Sequence, residues 1–334
     1  MRVLHYIAST VWGGAEKSFT ELCNELSKKM TVIVVLPTTN QIEDKLSKDI
    51  QLYKVANGSR YNPMIYMQLF RILQKTNPDI VHTHSAKASE IAYYLNKCIR
   101  FRHIATKRNS RKGKIFNKIK NVTAISKVTQ KSIHQQNVKL IYNGIIKQPI
   151  DNIKQTNNEI LRLLAIGGLD KIKGFDILIK EVSKLDFPFV LDIVGDGEEK
   201  ANLQSLIKEL NLSSKVNLLG FRDDIPSLIA NSDVVITSSH SEGFGRVLVE
   251  ALFYGDLMIS TKVGLSIEIL PDELLITHDT IADKLIGIYN NQTHYKQIFK
   301  SIKEQYSSQF ELQNNIDRYI EFYNEILVKD MDNQ

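Results

Sequence analysis

The chain alternates short, almost wholly apolar runs with longer stretches whose apolar residues recur every three or four positions. The runs RVLHYIA (2–8), TVIVVLP (31–37), DIVHTH (79–84), HIATK (103–107), NVTAIS (121–126) and KLIYNG (139–144) read as strands. Helical patterns fall between most of them, as over Glu16–Lys28 and Tyr66–Lys75. Strands that are apolar on both faces and separated by helices predict a parallel sheet covered on both sides. A polar stretch rich in Asn and Gln, KQPIDNIKQTNNE (147–159), then breaks the pattern and reads as a linker. Beyond it the alternation resumes. LRLLAIGG (161–168), FVLDIVGDG (189–197), KVNLLG (215–220), DVVITSS (233–239) and LMIST (257–261) are strand patterns, with helices over 175–185 and 198–211 between them. In the second helix Leu203, Leu206, Ile207 and Leu210 share one face. The expected architecture is α/β, two doubly wound Rossmann-like domains over 1–150 and 151–305, followed by a C-terminal helix over 306–334 that packs back on the first domain.

Composition narrows this only slightly. At 334 residues, two domains are the natural expectation, and 43% hydrophobic with 24% charged residues is ordinary soluble material. Cys23 and Cys98 stand far apart and make neither a disulfide framework nor a metal set. The start, MRVLHYIAST, reads as a first strand rather than a signal peptide, and no run approaches the roughly 18 apolar residues of a spanning helix. A cytoplasmic location is expected, with a peripheral seat on the inner face of the plasma membrane open.

Charge changes the picture more. Residues 1–150 hold 25 Lys and Arg against 8 acids, while residues 151–334 hold 18 against 29. From Ile91 to Ile150 there are 14 basic residues and no acid. A run of this length is either a solvated face or a surface for an anionic partner: a phospholipid, a phosphorylated acceptor or nucleic acid. Arg108, Arg111 and Lys112 are its candidates for the acceptor or membrane side. Nucleic acid is the weaker partner, because Phe101 and Phe116 are isolated and no aromatics interleave with the charges.

In doubly wound sheets, ligands bind beyond the C-terminal ends of the strands. The loops there carry the candidate chemistry. STVWGGAEKSF follows the first strand, and Gly13-Gly14 lets backbone approach a ligand at a helix start, without the pattern of a phosphate-binding P-loop. His84 ends DIVHTH, where an imidazole can donate to a hydroxyl or support charge; His82 reads as structural. In the second domain GGLDKIKGFD places Lys173 at a strand-to-helix turn, suited to a phosphate oxygen. SEGFGRVLVEA (241–251) sets Glu242 in a glycine turn and Glu250 within the helix that follows. At about 1.5 Å rise per residue the two acids stand on the order of 10 Å apart. That spacing suits hydroxyl groups at both ends of a ligand whose phosphates lie between, as in a nucleotide sugar.

These motifs resemble those of the retaining glycosyltransferases of family four, of the two-Rossmann-domain (GT-B) type. The resemblance rests on GGAEKS, DIVHTHSAKAS, IYNGI, KGFDILI, LDIVGDG, SSHSEGFGRVLVEALFYGD and TKVGLSIEIL in that order, and so covers most of the chain. It implies two Rossmann-like domains with a cleft between them. It implies hexosyl transfer with retention from an NDP-sugar, UDP-linked by expectation, to a growing surface glycan or a lipid-linked acceptor such as lipopolysaccharide or capsule. Glu242 would contact the donor hexose, Gly243, Phe244 and Gly245 would offer backbone N–H groups, and Glu250 would hold the ribose. Lys173 would neutralise the diphosphate, Gly14 would admit it near the first domain, and His84 would touch the transferred sugar or support its charge. No metal and no cofactor are implied, and the one D-x-D, Asp330 to Asp332, lies in the tail. One departure stands out: Gly168 occupies the place where family members usually carry Arg, leaving Lys171 or Arg246 as substitutes. A catalytically silent binding partner and a nucleotide-sugar 2-epimerase remain as alternative readings.

Overall fold

The computed structural model describes residues 1–110, 113–135, 137–150 and 160–331, except for the side chains of 329–331. The chain forms two compact units. One is Met1–Ile146 together with the chain from Gln309, and the other is Lys147–Ser308.

Unit 1 is built on seven parallel strands: β1 (Arg2–Ile7), β2 (Thr31–Pro37), β3 (Gln51–Val55), β4 (Ile80–His84), β5 (His103–Lys107), β6 (Asn121–Ala124) and β7 (Val138–Leu140). Their order is β3-β2-β1-β4-β5-β6-β7. Unit 2 has six: β8 (Leu161–Ile166), β9 (Phe189–Val194), β10 (Val216–Gly220), β11 (Val234–Thr237), β12 (Met258–Thr261) and β13 (Leu275–Ile276), in the order β10-β9-β8-β11-β12-β13. In both sheets the winding reverses beside the first strand, between β1 and β4 and between β8 and β11. Such a switch point leaves a crevice at the strands' C-terminal ends, because the two flanking connections leave on opposite faces. The strands that sequence pattern missed are β3, at the edge and partly exposed, and the two-residue β13.

The C-terminal helix Leu312–Met331 belongs to unit 1. Leu312, Ile316, Tyr319, Tyr323 and Ile326 recur at helical spacing and are buried in the same core as Val3, Val32, Val34 and the helix Gly14–Ser27. The chain enters this helix beside Gly144. A Cβ there would lie 2.4 Å from the Leu312 Cα, so no larger residue allows this approach. Two backbone bonds close the junction, from Ile145 N to Phe310 O (2.9 Å) and from Leu312 N to Ile145 O (3.1 Å).

Four histidines, His5, His82, His84 and His103, are buried in this sheet. His82 bridges elements: Nδ1 lies 2.7 Å from the Tyr323 hydroxyl on the C-terminal helix, and Nε2 lies 2.6 Å from Thr106 Oγ1 on β5. Burial, then the nearby Arg108, lowers the pKa of His5 to about 3. Burial alone lowers that of His103 to about 3. His82 and His84 are also held well below the ordinary value, first by burial, then by a neighbouring imidazole (His5 for His82, His82 for His84) and by Arg108. The folded unit therefore keeps all four neutral at pH values where the unfolded chain would protonate them. Stability is fully present above about pH 6.5 and is lost as pH falls from there toward the folded values. We expect each histidine to cost about 1.4 kcal/mol per pH unit, so roughly 2 kcal/mol at pH 5. Denaturant unfolding at pH 7.5, 6 and 5 should show this loss, and His103→Asn should reduce the slope by one proton. A midpoint that does not move over this range would contradict it.

Candidate functional site

In unit 2 the switch point gathers two loops. The first follows β8 and runs through Gly167, Gly168 and a 3₁₀ turn, Lys171–Lys173, into the helix Phe175–Val182. The second follows β11 and runs from Ser238 to Gly245, ahead of the helix Arg246–Tyr254. Gly174 lets them meet. Its φ is +64°, and a Cβ there would lie 2.4 Å from the Ser238 carbonyl oxygen. Ser238 Oγ donates to Lys173 O (2.9 Å), and His240 N donates to Ile172 O (2.7 Å). The backbone of Lys173 is thus tied to the second loop, and its side-chain stem lies over Gly167.

The side chains then meet. Lys173 Nζ donates to Glu242 Oε1 at 2.6 Å, and Ser239 Oγ donates to the same oxygen at 2.8 Å. Lys173 and Glu242 keep 22% and 18% of their side chains exposed, so both remain open to a ligand. The glycine turn continues beneath them. Phe244 is buried, its carbonyl accepts from Leu265 N (2.7 Å), and Gly245 takes φ +91° at the start of the helix. Gly243 lies between Glu242 and Phe244 in this turn. One turn into the helix Glu250 is buried, and Arg246 Nε donates to its Oε1 at 3.0 Å. The sequence reading named both residues but missed their pairing, although an i,i+4 spacing signals it. It also missed His278, whose Nε2 lies 2.8 Å from the Ser238 carbonyl and whose ring packs against His240 at 4.4 Å. No local pattern marks that contact, which joins positions 40 residues apart. At Gly168 a Cβ would make only ordinary contacts, 3.6 Å from Asp170 Oδ2 and 3.9 Å from Asp196 O. Lys171 is exposed.

In unit 1 the helix Gly14–Ser27 begins at the C-terminal end of β1, and a Cβ on Gly14 would meet nothing within 4 Å. Open space, rather than packing, surrounds that glycine. His84 ends β4 and is followed by Ser85, whose φ of +70° is rarely adopted by residues other than glycine. Both His84 ring nitrogens are engaged. Arg108 Nη2 lies 3.0 Å from Nδ1, and His5 Nδ1 lies 3.1 Å from Nε2. A guanidinium can only donate, so His84 Nδ1 carries the lone pair and Nε2 carries the proton. That proton goes to His5 Nδ1, leaving the His5 proton on Nε2, a buried atom with no partner. In this arrangement the imidazole of His84 presents no nitrogen to a sugar. It holds Arg108 instead.

Arg108 itself is 7% exposed and forms no ion pair among the described residues. Its Nε has no partner, and its remaining contact is a 3.5 Å approach of Nη1 to Asn143 Oδ1. The ring nitrogens of His5, His82 and His84 lie within 4.8 Å of one another, a spacing that could also suit a metal ion. Here they are joined to each other, to hydroxyl groups and to the guanidinium, and an added cation would face the charge of Arg108 directly. The cluster is accounted for as a hydrogen-bond network.

The basic run does not form one surface. Lys107 and Arg108 stand at the C-terminal end of β5, with Lys107 Nζ donating to Ser132 O and Oγ (3.1 and 2.8 Å). Arg100, Arg102, Lys118 and Lys120 line a pocket at the N-terminal ends of β5 and β6. The strand, about 16 Å long at ~3.3 Å per residue, separates the two groups. A single charged face is therefore replaced by two sites, because a parallel strand carries its two flanking loops to opposite edges. Arg111 and Lys112 lie outside the described residues, as does Asp332.

Comparisons with known proteins agree with this geometry. Residues 146–319 match the model of the glycosyl transferases group 1, and residues 12–148 match that of glycosyltransferase family 4. The chain is 24% identical over 319 residues to the N-acetyl-alpha-D-glucosaminyl L-malate synthase of Bacillus anthracis, covering 84% of each. It is 37% identical over 126 residues to an N-acetylgalactosaminyltransferase of Campylobacter jejuni that acts on a diphospho-undecaprenol-linked sugar, covering 36% of this chain and 34% of that one. In fold it is similar to HepE of Anabaena, with a TM-score of 0.84 at 20% identity over 97% of this chain and 100% of HepE. With both halves matched and two Rossmann-like sheets of the same winding, the chain belongs to the family-four, group 1 glycosyltransferases of GT-B type.

Proposed function

We propose that the protein transfers a hexose-type sugar, with retention, from a UDP-linked donor to an anionic acceptor, a growing surface glycan or a lipid-linked sugar. The observation that carries this reading is the Lys173–Glu242 pair at the switch point of unit 2. It sets a cation for phosphate and a carboxylate for sugar hydroxyls side by side, above a glycine turn that opens a helix. Glu242 is assigned to the hexose and Glu250 to the ribose. Lys173 meets the diphosphate together with the backbone of Gly243, Phe244 and Gly245, and no metal is invoked. HepE, which shares the fold, has been crystallised with UDP and glucose, which favours uridine in the donor. In the transfer itself the bond from the sugar's anomeric carbon to the diphosphate oxygen breaks. The acceptor hydroxyl forms its bond on the same face, and the departing phosphate oxygen takes the acceptor's proton.

On the acceptor side, Arg108 is a buried cation that forms no ion pair among the described residues, and such a charge is costly until an anion joins it. The names of the two relatives specify L-malate and a diphospho-undecaprenol sugar, both anionic. We therefore assign Arg108 to a negative group of the acceptor, with His84 and His5 as positioning residues behind it. A lipid-linked acceptor would seat the protein peripherally on the inner face of the plasma membrane. Among the described residues no helix is long and apolar enough to cross a membrane.

Three outcomes test this reading. Glu242→Ala should lower turnover about a hundredfold while UDP affinity holds or rises, since Lys173 is then released to the phosphates. Glu250→Ala should weaken UDP binding by roughly 1–3 kcal/mol. Normal UDP binding and normal turnover in both would exclude the assignment. Gly168→Arg, which the packing permits, should tighten UDP about tenfold if that cation is simply missing. It should do nothing if Arg246 or Lys171 has replaced it. An inert Lys173→Ala, alongside inert Lys171→Ala and Arg246→Ala, would favour the silent-partner reading. Arg108→Gln should raise the acceptor KM at least tenfold in transfer assays on an acceptor panel, while slow hydrolysis of the donor continues at the normal rate. An unchanged acceptor KM would remove Arg108 from the acceptor site.

A further inference from the structure

Unit 1 has a second concavity, at the edge of the sheet opposite its switch point. It measures about 580 Å³, within the range of small-molecule pockets. Arg100 and Arg102 reach it from the segment before β5, and Lys118 and Lys120 from the segment before β6. Phe101 and Tyr93 give it aromatic walls, and no acidic residue lines it among the described residues. Cations brought round a concave surface repel one another and focus a positive field within it. The side chains of Arg100, Lys118 and Lys120 take part in no ion pair or hydrogen bond among the described residues.

The buried lining of the pocket adds a second, neutral requirement. His103, 6% exposed, lines the pocket from the first position of β5. Its Nε2 lies 2.8 Å from Thr83 Oγ1, which in turn lies 2.9 Å from Ser89 Oγ. Ser89 donates its proton to the Ser85 carbonyl at 2.8 Å. The Thr83 proton then goes to Ser89 or to the Ile104 carbonyl, 3.3 Å away, and Thr83 accepts from His103. The proton of His103 is therefore on Nε2, and Nδ1 keeps a lone pair with no partner among the described residues. A lone pair of this kind repels an anionic oxygen and accepts a hydroxyl proton.

We propose that this pocket binds a polyol phosphate: a phosphate group held by Arg100, Lys118 and Lys120, with a neighbouring hydroxyl donated to His103 Nδ1. The chemistry is shared by a glycerol-phosphate lipid headgroup and by a free sugar or glycerol phosphate. The site does not depend on the donor assignment in unit 2, so its test can fail while that reading stands.

The test uses the full chain at 0.15 M salt, with two probes: sn-glycerol 3-phosphate by calorimetry, and co-sedimentation with phosphatidylcholine vesicles containing phosphatidylglycerol. The variant is Arg100→Gln, Lys118→Gln, Lys120→Gln, all exposed positions, with Lys120→Glu alone as a milder second variant. UDP affinity monitors the fold. We expect at least one probe to bind the native chain, the triple variant to bind it at least tenfold more weakly, and UDP affinity to be unchanged. Binding of the vesicles alone identifies a headgroup site, and binding of the soluble phosphate identifies a site for a free metabolite. Inorganic phosphate should bind more weakly than glycerol phosphate, because it lacks the neighbouring alcohol. Binding of neither probe, equal binding by Lys120→Glu and the native chain, or a preference of the pocket residues for a DNA or RNA oligonucleotide over both probes would overturn the proposal.

Discussion

The ion pair between Lys173 and Glu242 organises unit 2. It joins two loops that are 69 residues apart in the chain and fixes both at the switch point. As a contributor to stability a part-exposed pair is modest, because water screens it and ordering two long side chains costs entropy. Its larger effect is geometric. Gly174 admits the first loop against Ser238, Ser239 holds Glu242 in place, and the lysine stem crosses Gly167. The pair also holds the site in a self-neutralised state. On the proposed assignment an incoming diphosphate would compete with Glu242 for the ammonium and free a carboxylate for the sugar.

Unit 1 solves the opposite problem. Its switch point holds Arg108 with no ion pair among the described residues, and keeps that cation in place through neutral imidazoles. Burial makes protonation of those rings unfavourable, and the guanidinium reinforces this. The hydrogen-bond polarity therefore runs one way, from the guanidinium through His84 to His5. A site of fixed positive charge and fixed tautomer discriminates by charge, whereas the paired site in unit 2 discriminates by competition.

The sheets were largely legible in the sequence because fully buried parallel strands give continuous apolar runs, as β2 does. Strand β3 escaped because an edge strand is only half covered and its sequence, QLYKV, mixes polar with apolar positions. Lys173 and Glu242 were legible as chemistry because they sit at strand-to-helix turns, and Glu250 because it lies one turn into the helix that follows. Their pairings were not, since Lys173–Glu242 depends on tertiary packing. His84 shows the limit best. Its place at a strand mouth was readable from DIVHTH, but the occupation of both ring nitrogens depends on His5 and Arg108, which lie on neighbouring strands. The basic run misled for a related reason: sequence proximity of Arg102 and Lys107 hides a strand that carries them to opposite edges.

The C-terminal helix has a consequence for how the protein is made. Tyr319, Phe322 and Tyr323 fill the core beside β1 and β2, strands that precede unit 2 in the chain. All of unit 2 is synthesised before they appear. At roughly 5–20 residues per second that interval is on the order of 10–30 s. Unit 2 has its entire sheet available during this time, while His82 still lacks the hydroxyl of Tyr323 and the core of unit 1 stands open. Unit 1, begun before unit 2, is thus the last to close, and nascent chains stalled before Leu312 would present an unfinished first unit to chaperones alongside a finished second one.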